Sequence, residues 1–555
     1  MSGSLLSGDT TNGAGLLLAL ALLFPLVLAV GRSFPAARAG IGTLLAIAPL
    51  PALAVPLLGN GARFVMPGPF RLTLALDTPG AMLMGAAALL WTAAALYAPA
   101  YWQGGSMLRR AGLRWLFTLA GSLGVFVADD VVSFYLLFSL VSLAAYGLVV
   151  LDGNSTVRRA GAIYVGFAVL GEAFLLIAFV LLANASPGGS LAIADVVQGL
   201  PFSPWRDWTL LFLILGFGTK MAQVPLHLWM PLSYRATPIP AVAALSGAAV
   251  KAGVIGLVRF LPFDSGSVPW GEVLTAVGMI SAFYGVLVGL TQTNPKAILA
   301  YSSISQMGVI AAVLGMGLAA GRASAPAEAT FYAVHHLFAK GGLFLAIGVV
   351  AATGRWRIWP VFIPAAFVAL GIAGLPLTGG ALAKLAVKDA LGYGLVGTLG
   401  KLSAIASTVL MIHFLAVLRS TARTDAGEAL APLTLRLVWW GVAALAVLAP
   451  WILLTPATGY PLSDAVSPST LFDGIWPLAI GGLLAIGGRR LLPNPPRIPP
   501  GDILALLRPV GQLAGAASVA IERTEARLRE WPIAGAIFLG LVLAFSIAMY
   551  LAGSS

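Results

Sequence analysis

The side chains able to do chemistry in this chain stand where a membrane sequence should not tolerate them. Lys220, Lys251 and Lys340 each fall near the middle of a long apolar run, and Lys384 lies in a shorter one that follows Pro376. Glu172 sits within "VLGEAFLL", and His336 precedes Lys340 by four residues, so the two share a face if that run is helical. Amines, an imidazole and a carboxylate in apolar surroundings, in a chain with no cysteine, point to the holding and handing on of protons. A lysine at a bilayer centre costs about 2.5 to 3.5 kcal/mol, so the set carries a penalty on the order of 10 kcal/mol, comparable to the stability of a whole domain. At the helical rise Lys340 lies roughly 17 Å from either end of its run, beyond the reach of a four-methylene stem, and snorkelling cannot rescue it. Each lysine is therefore expected to face the bundle interior, opposite a carboxylate or internal water.

Two of these lysines stand beside helix breakers. In "GFGTKMAQVPLHLW", Gly216 to Trp229, Pro225 removes a backbone donor after Lys220. In "GLPLTGGALAK", Gly374 to Lys384, Pro376, Gly379 and Gly380 interrupt the ladder before Lys384. Broken helices at membrane depth are tolerated only beside protein or a hydrated cavity, so each break marks a water-accessible point. Other polar residues are weaker candidates. His227 falls at the first break, His335 points about 100° away from His336 and reads as structural, and His413 reads as a packing residue. Lys388 and Asp389 either pair with each other or lie at a helix end.

The elements that must position these groups follow from composition. The chain has 555 residues, 59% hydrophobic and 9% charged, where soluble proteins carry roughly 25% charged residues. It reads as an all-α polytopic membrane protein. Four histidines without any cysteine leave no cluster for iron–sulfur, c-type haem or zinc sites, so no cofactor and no metal are expected, and redox chemistry falls to a partner. The formal charge of +12 is spread over short loops and signals topology rather than nucleic acid binding. Apolar runs near spanning length number roughly sixteen, with an error of one or two. Arginines and lysines gather on alternate loops, including Arg109, Arg110, Arg158, Arg159, Arg235, Lys296, Arg355 and Arg419, while Asp129, Asp130, Asp195, Asp264, Glu272, Glu328, Asp464 and Asp473 gather on the others. Both termini then share the acid-rich, outer side if the count is even. The first run, Gly13 to Val30, reads as a retained span rather than a cleaved leader.

The expected organisation is N-terminal transmembrane helices at 1–109, a core at 110–420, C-terminal transmembrane helices at 421–490, an amphipathic cytoplasmic segment at 491–531 and a final transmembrane helix at 532–555. The amphipathic segment pairs Glu525 with Arg529 at helical spacing, and reads equally as a solvated tether.

Four stretches carry a family resemblance. "GTKMAQVPLHLWMPLSYRATPIPAVAALSGAAVKAGVIGLVRF" (218–260), "NPKAILAYSSISQMGVI" (294–310), "HHLFAKGGLFLAIG" (335–348) and "GLPLTGGALAK" (374–384) resemble the antiporter-like subunits of complex I (NADH:quinone oxidoreductase), membrane-bound hydrogenases and Mrp cation/proton antiporters. The resemblance implies about 14–16 transmembrane helices, two inverted five-helix repeats with broken helices 7 and 12, and a central hydrophilic axis. Position by position it assigns Lys220 to helix 7, Lys251 to helix 8, His336 and Lys340 to helix 11 and Lys384 to helix 12. The chain departs from the pattern at Ser139, where the family has the helix 5 glutamate that pairs with the helix 7 lysine, at Leu232 after "LWMP", and at Gln306 in place of a histidine. Either Glu172 takes over as partner of Lys220 or the coupling is altered.

The resemblance implies a proton-translocating subunit of a multi-subunit energy-converting complex, NADH:quinone oxidoreductase-like or hydrogenase-like, in the inner cell membrane. Its partners would be other membrane subunits, and it would perform no redox catalysis alone. The alternatives are an Mrp-type Na+/H+ antiporter subunit, an energy-coupling subunit of an inorganic carbon uptake system, and a non-conducting scaffold.

Overall fold

A bilayer core offers no water to the backbone, so apolar runs must satisfy their own N–H and C=O groups, and here they do so as helices. The computed structural model describes residues 13–31, 40–66, 72–103, 105–424, 427–491, 498–501 and 531–553. The helices of eight residues or more among the described residues, in chain order, are α1 (Gly13–Gly31), α2 (Ile41–Leu58), α3 (Thr78–Trp102), α4 (Gly105–Gly124), α5 (Val131–Val149), α6 (Ser155–Ala185), α7 (Arg206–Lys220), α8 (Trp229–Ala236) and α9 (Ile239–Phe260). They continue with α10 (Val268–Gly289), α11 (Pro295–Ala320), α12 (Ala325–Ala351), α13 (Trp359–Ala373), α14 (Gly379–Leu391), α15 (Leu395–Ser420), α16 (Leu433–Thr458), α17 (Pro468–Leu491) and α18 (Trp531–Gly553). Among the described residues, twelve helices are long and apolar enough to cross a membrane. The basic α4, the split pairs α7/α8 and α13/α14, and α18 account for the remaining apolar runs. One departure from an all-helical reading is a short antiparallel hairpin, β1 (Arg63–Met66) with β2 (Leu72–Ala75), before α3. The amphipathic segment, with Glu525 and Arg529, lies outside the described residues apart from its ends.

Polar residues at the loop boundaries start several helices. Asp77 caps α3 by accepting from Gly80 N at 2.8 Å, Asp130 caps α5 through Ser133 N at 2.9 Å, and Asn154 caps α6 through Val157 N at 2.9 Å. Asp77, Asp130 and Asn154 thus bind free N–H groups at helix N-termini.

Burial is graded. The windows of α9, α11 and α12 are 100% buried, whereas that of the span ending in α17 is 17% buried. α12 sits at the centre, packed against α3, α9, α11, α13, α14 and α16. Close approach of α10 to α11 needs bare backbone, since a Cβ on Gly278 would come within 2.5 Å of Gly308 O and one on Gly308 within 2.4 Å of Gly278 O.

Both breaks exist, but their geometry differs from the proline reading. α7 ends at Lys220, before Pro225, so Lys220 occupies a helix C-terminus rather than a helix middle. The chain turns through Ala222, at φ 55°, and the cis Val224–Pro225 bond, and resumes as α8 at Trp229. In the twelfth span α13 closes on Gly374, at φ 105°, and Pro376 lies in the linker. Gly379 and Gly380 do not break a helix. They open α14, where space is the constraint: a Cβ on Gly380 would lie 1.7 Å from Gly371 O, and one on Gly379 2.5 Å from Ala446 O. α9 carries a third irregularity, a π-helical turn over Leu245–Ala249, with α-helix resuming at Lys251.

Candidate functional site

The break in the seventh span is held by its own neighbours. Trp229 Nε1 donates to Thr219 O at 2.8 Å, a carbonyl in the last turn of α7 that also accepts from Ala222 N at 3.1 Å, and Val224 N donates to Ser281 Oγ of α10 at 2.9 Å. Lys220 thereby projects from a helix C-terminus, where the dipole favours a cation. It is 8% exposed, donates to Ser142 Oγ of α5 at 2.9 Å and lies 5.5 Å from the Phe138 ring centroid.

Glu172 of α6 is the carboxylate that acts electrostatically on Lys220, with Ser139 and Ser142 beside it. The two charges do not form a direct ion pair; the lysine bonds the serine instead. Glu172 Oε1 and Ser139 Oγ are buried without a hydrogen-bond partner, and a cavity of ≈ 20 Å³ lined by Ser142, Tyr164, Gly171 and Lys220 lies alongside. That volume holds about one water. Ser139 lies beside Glu172, while the hydrogen bond of Lys220 goes to Ser142.

The centre of the site is α12. Lys251 Nζ lies 2.7 Å from His336 Nδ1 and 3.4 Å from Ser246 O, a carbonyl of the π-helical turn. His336 Nε2 has no partner. One turn on, Lys340 Nζ donates to Leu299 O of α11 at 3.1 Å. Lys251 and Lys340 are fully buried and His336 is 1% exposed, on helices shielded from lipid on every side. α7 meets this group through Gly253, where a Cβ would fall 3.2 Å from Lys220 Cβ.

Beyond α12 lies the second break. His335, read as structural from its angle, fills the space left by Gly379 and Gly380: Cβ atoms there would stand 2.7 Å from its Nδ1 and 3.0 Å from its Nε2. Lys384 and Lys251 both act on it electrostatically, so it stands between the Lys251 group and the twelfth span. Lys384 donates to Ala373 O, the last residue of α13. Lys388 and Asp389 do not pair with each other: Lys388 Nζ binds Asp473 Oδ2 of α17 at 2.7 Å, and Asp389 Oδ2 accepts from Tyr460 Oη at 2.5 Å. Asp389 points from α14 toward the loop before α17, which puts Asp473 rather than Asp389 beside Lys388.

The remaining candidates fall into place around this row. Gln306 accepts from Tyr332 Oη at 2.6 Å and donates to Ser407 Oγ at 3.2 Å, linking α11, α12 and α15. His227 is buried at the first break with its ring 4.8 Å from that of Tyr284. His413 has its Nε2 2.8 Å from the backbone O of Gln292, a residue that also binds Ile498 O. Sequence reasoning gave no role to Tyr332 or Ser142 and no place in the row to His335. The glycine pair facing His335 and the four-residue interval from Tyr332 to His336 were the available signals. No cluster of metal ligands occurs among the described residues.

Residues 128–391 match the family described as NADH:quinone oxidoreductase/Mrp antiporter, TM. Among curated relatives the chain is 31% identical over 304 residues to hydrogenase-4 component B of Escherichia coli, covering 52% of this chain and 45% of that protein. It is 32% identical over 351 residues to NADH-quinone oxidoreductase subunit N of Desulforudis audaxviator, covering 60% of this chain and 65% of that one. Among solved structures, a chain of the Mrp complex from Dietzia sp. DQ12-45-1b shares the fold with a TM-score of 0.71 at 21% identity, over 98% of this chain and 63% of that one. The chain spans 45% and 65% of the two curated relatives. It is a multi-pass membrane protein, and its residues 128–391 are similar to the membrane subunits of the NADH:quinone oxidoreductase/Mrp antiporter family.

Proposed function

We propose that this chain is the proton-translocating membrane subunit of a multi-subunit energy-converting complex, NADH:quinone oxidoreductase-like or hydrogenase-like, in the inner cell membrane. Protons move along Glu172, Lys220, Lys251, His336 and Lys340, with Lys384 as a further station, and other membrane subunits are the partners that supply the driving reaction. The observation that carries this reading is the contact between Lys251 and His336, 2.7 Å apart and wholly buried in helices shielded from lipid. A structural role does not require two titratable groups at one point in a low-dielectric interior, where each costs several kcal/mol if left unpaired. The relatives named for hydrogenase and quinone reductase complexes support the same reading. An Mrp-type Na+/H+ antiporter subunit is the second reading, supported by the fold shared with the Dietzia complex over 98% of this chain.

The test is reconstitution of the chain with its co-purifying membrane subunits in liposomes, measuring proton flux for the wild type and Lys220→Ala. Loss of flux with the complex intact is the expected result, and unchanged flux removes the proposal. A sodium gradient that drives proton flux without any redox partner would select the antiporter reading.

A further inference from the structure

Glu328 is an outer-side loop acid that the row described above does not use. It lies in the first turn of α12, 4% exposed, and only half of its carboxylate is engaged: Oε1 takes Arg322 Nη2 at 2.8 Å, while Oε2 is buried with no partner. A glutamate whose whole task was a surface ion pair with Arg322 would leave its second oxygen in water. Burying that oxygen unpaired costs about 1 to 3 kcal/mol.

Its register gives the burial a direction. Glu328, Tyr332, His336 and Lys340 follow one another at four-residue intervals along α12, so each is the axial neighbour of the next, with Cβ atoms about 5 to 6 Å apart. The series runs about 18 Å, from the end of the helix to its middle. Alongside, α11 supplies a polar lining. Lys340 binds Leu299 O and Tyr332 binds Gln306, so the antiparallel pairing sets Ser302 and Ser303 level with His336. Ser305 Oγ is buried and has no partner, like His336 Nε2 and Glu328 Oε2. At the outer end a cavity of ≈ 390 Å³ opens, with Arg259, Asp264, Ser265, Ala323 and Pro326 in its wall. It has room for roughly a dozen waters. Ala323 in that wall is the chain neighbour of Arg322, which binds Glu328.

We infer that Glu328 is the outer terminus of the polar route, the carboxylate at which protons carried along α12 are exchanged with water on the acid-rich face. The proton leaves the Lys340 or His336 end, crosses through waters held by Tyr332 and the α11 serines, binds the free oxygen of Glu328 and departs to the vestibule, leaving the carboxylate as it was. Gln306 and Ser407 are positioning residues: neither titrates, and they fix the Tyr332 hydroxyl. Arg322, and the Tyr460 hydroxyl that also lies in the field of Glu328, are the groups facing the carboxylate at the surface.

The inference rests on the translocation reading, and the experiment separates the two. In the reconstituted complex, proton flux and thermal stability are measured for the wild type, Glu328→Gln, Glu328→Asp, Arg322→Gln and Lys220→Ala. Glu328→Gln is expected to lose flux by roughly 10-fold or more, with Glu328→Asp recovering most of it and Arg322→Gln staying within a few-fold of the wild type. Wild-type flux in Glu328→Gln together with none in Lys220→Ala overturns the role of Glu328 and leaves the translocation reading in place. Normal flux in both removes both. Equal losses in Glu328→Gln and Arg322→Gln, or no recovery with aspartate, would mean that the ion pair only holds the loop, and would also overturn the inference.

Discussion

Between Lys251 Nζ and His336 Nδ1 there is room for one hydrogen bond, 2.7 Å long, and therefore for one proton that either side can own. If the lysine donates, Nδ1 must present a lone pair, which places the imidazole proton on Nε2, and Nε2 has no acceptor in the protein. If the proton moves to the ring, the neutral amine still meets Ser246 O at 3.4 Å. The two states differ little in geometry, which suits a relay, and both leave Nε2 seeking water. A side chain that keeps the polar contacts but cannot titrate separates transport from stability. His336→Gln is expected to reduce proton flux by roughly 10-fold or more while keeping the melting temperature within a few degrees of the wild type. His336→Ala, which strips the buried ammonium of its best partner, is expected to lower both, with a stability loss of about 1 to 3 kcal/mol. Thermal melts in detergent beside flux in liposomes check the pair. Equal flux loss with equal destabilisation in both variants would argue for a packing role alone.

At the scale of elements, the site depends on helices that end inside the protein. The fragments α7 and α14 bring Lys220 to a helix C-terminus and set Lys384 against the final carbonyl of α13, and each break is maintained by specific contacts rather than by proline alone. Gly380 makes the point most sharply, since a single added carbon would overlap Gly371 O at 1.7 Å. Gly380→Ala is expected to destabilise the fold by about 3 kcal/mol or more. Gly441→Ala, on an exposed turn of α16 with nothing within 4 Å, is expected to be neutral or slightly stabilising. Thermal unfolding of the two variants side by side measures the difference. That the helices break, and roughly where, was legible in the sequence, because a lysine beside proline or paired glycines in an apolar run is stable only where the helix opens onto protein or water. The place of the break at Lys220 was hidden, because the turn is set by Ala222, by the Trp229 bond to Thr219 O and by Ser281 on another span. The buried lysines were legible one at a time from their cost in hydrocarbon. Their partners were not: Ser142, His335 and Asp473 meet Lys220, the glycine pair and Lys388 only because α5, α12 and α17 pack where they do. The same limit accounts for Lys388 and Asp389, adjacent in sequence, binding different neighbours.

At the scale of the molecule, charge is placed where lipid cannot reach. The span ending in α17 is 17% buried and offers Phe472, Ile475, Leu483 and Ile486 to its surroundings, while α9, α11 and α12 are enclosed and carry Lys251, Gln306, His335, His336 and Lys340. Of the enclosed helices, α9 joins two groups of spans. On one side α5 to α8 hold Glu172 and Lys220; on the other α10 to α12 hold Lys340; α9 contacts both, and its π-helical turn delivers Lys251 between them. That arrangement distinguishes a single route through the whole protein from two half-routes that happen to share a wall. In a single route Lys220 and Lys340 are stations in series, so Lys220→Ala and Lys340→Ala are each expected to bring flux to background, with no further loss in the double variant. Two independent half-routes would leave about half the flux in each single variant and lose the rest only in the double, the additivity of sites that do not interact. Proton flux in liposomes of the reconstituted complex, normalised to the amount of intact complex, decides between them. The series outcome is favoured because Gly253, Lys251 and His336, which link Lys220 to Lys340, all lie on helices whose apolar windows are fully buried.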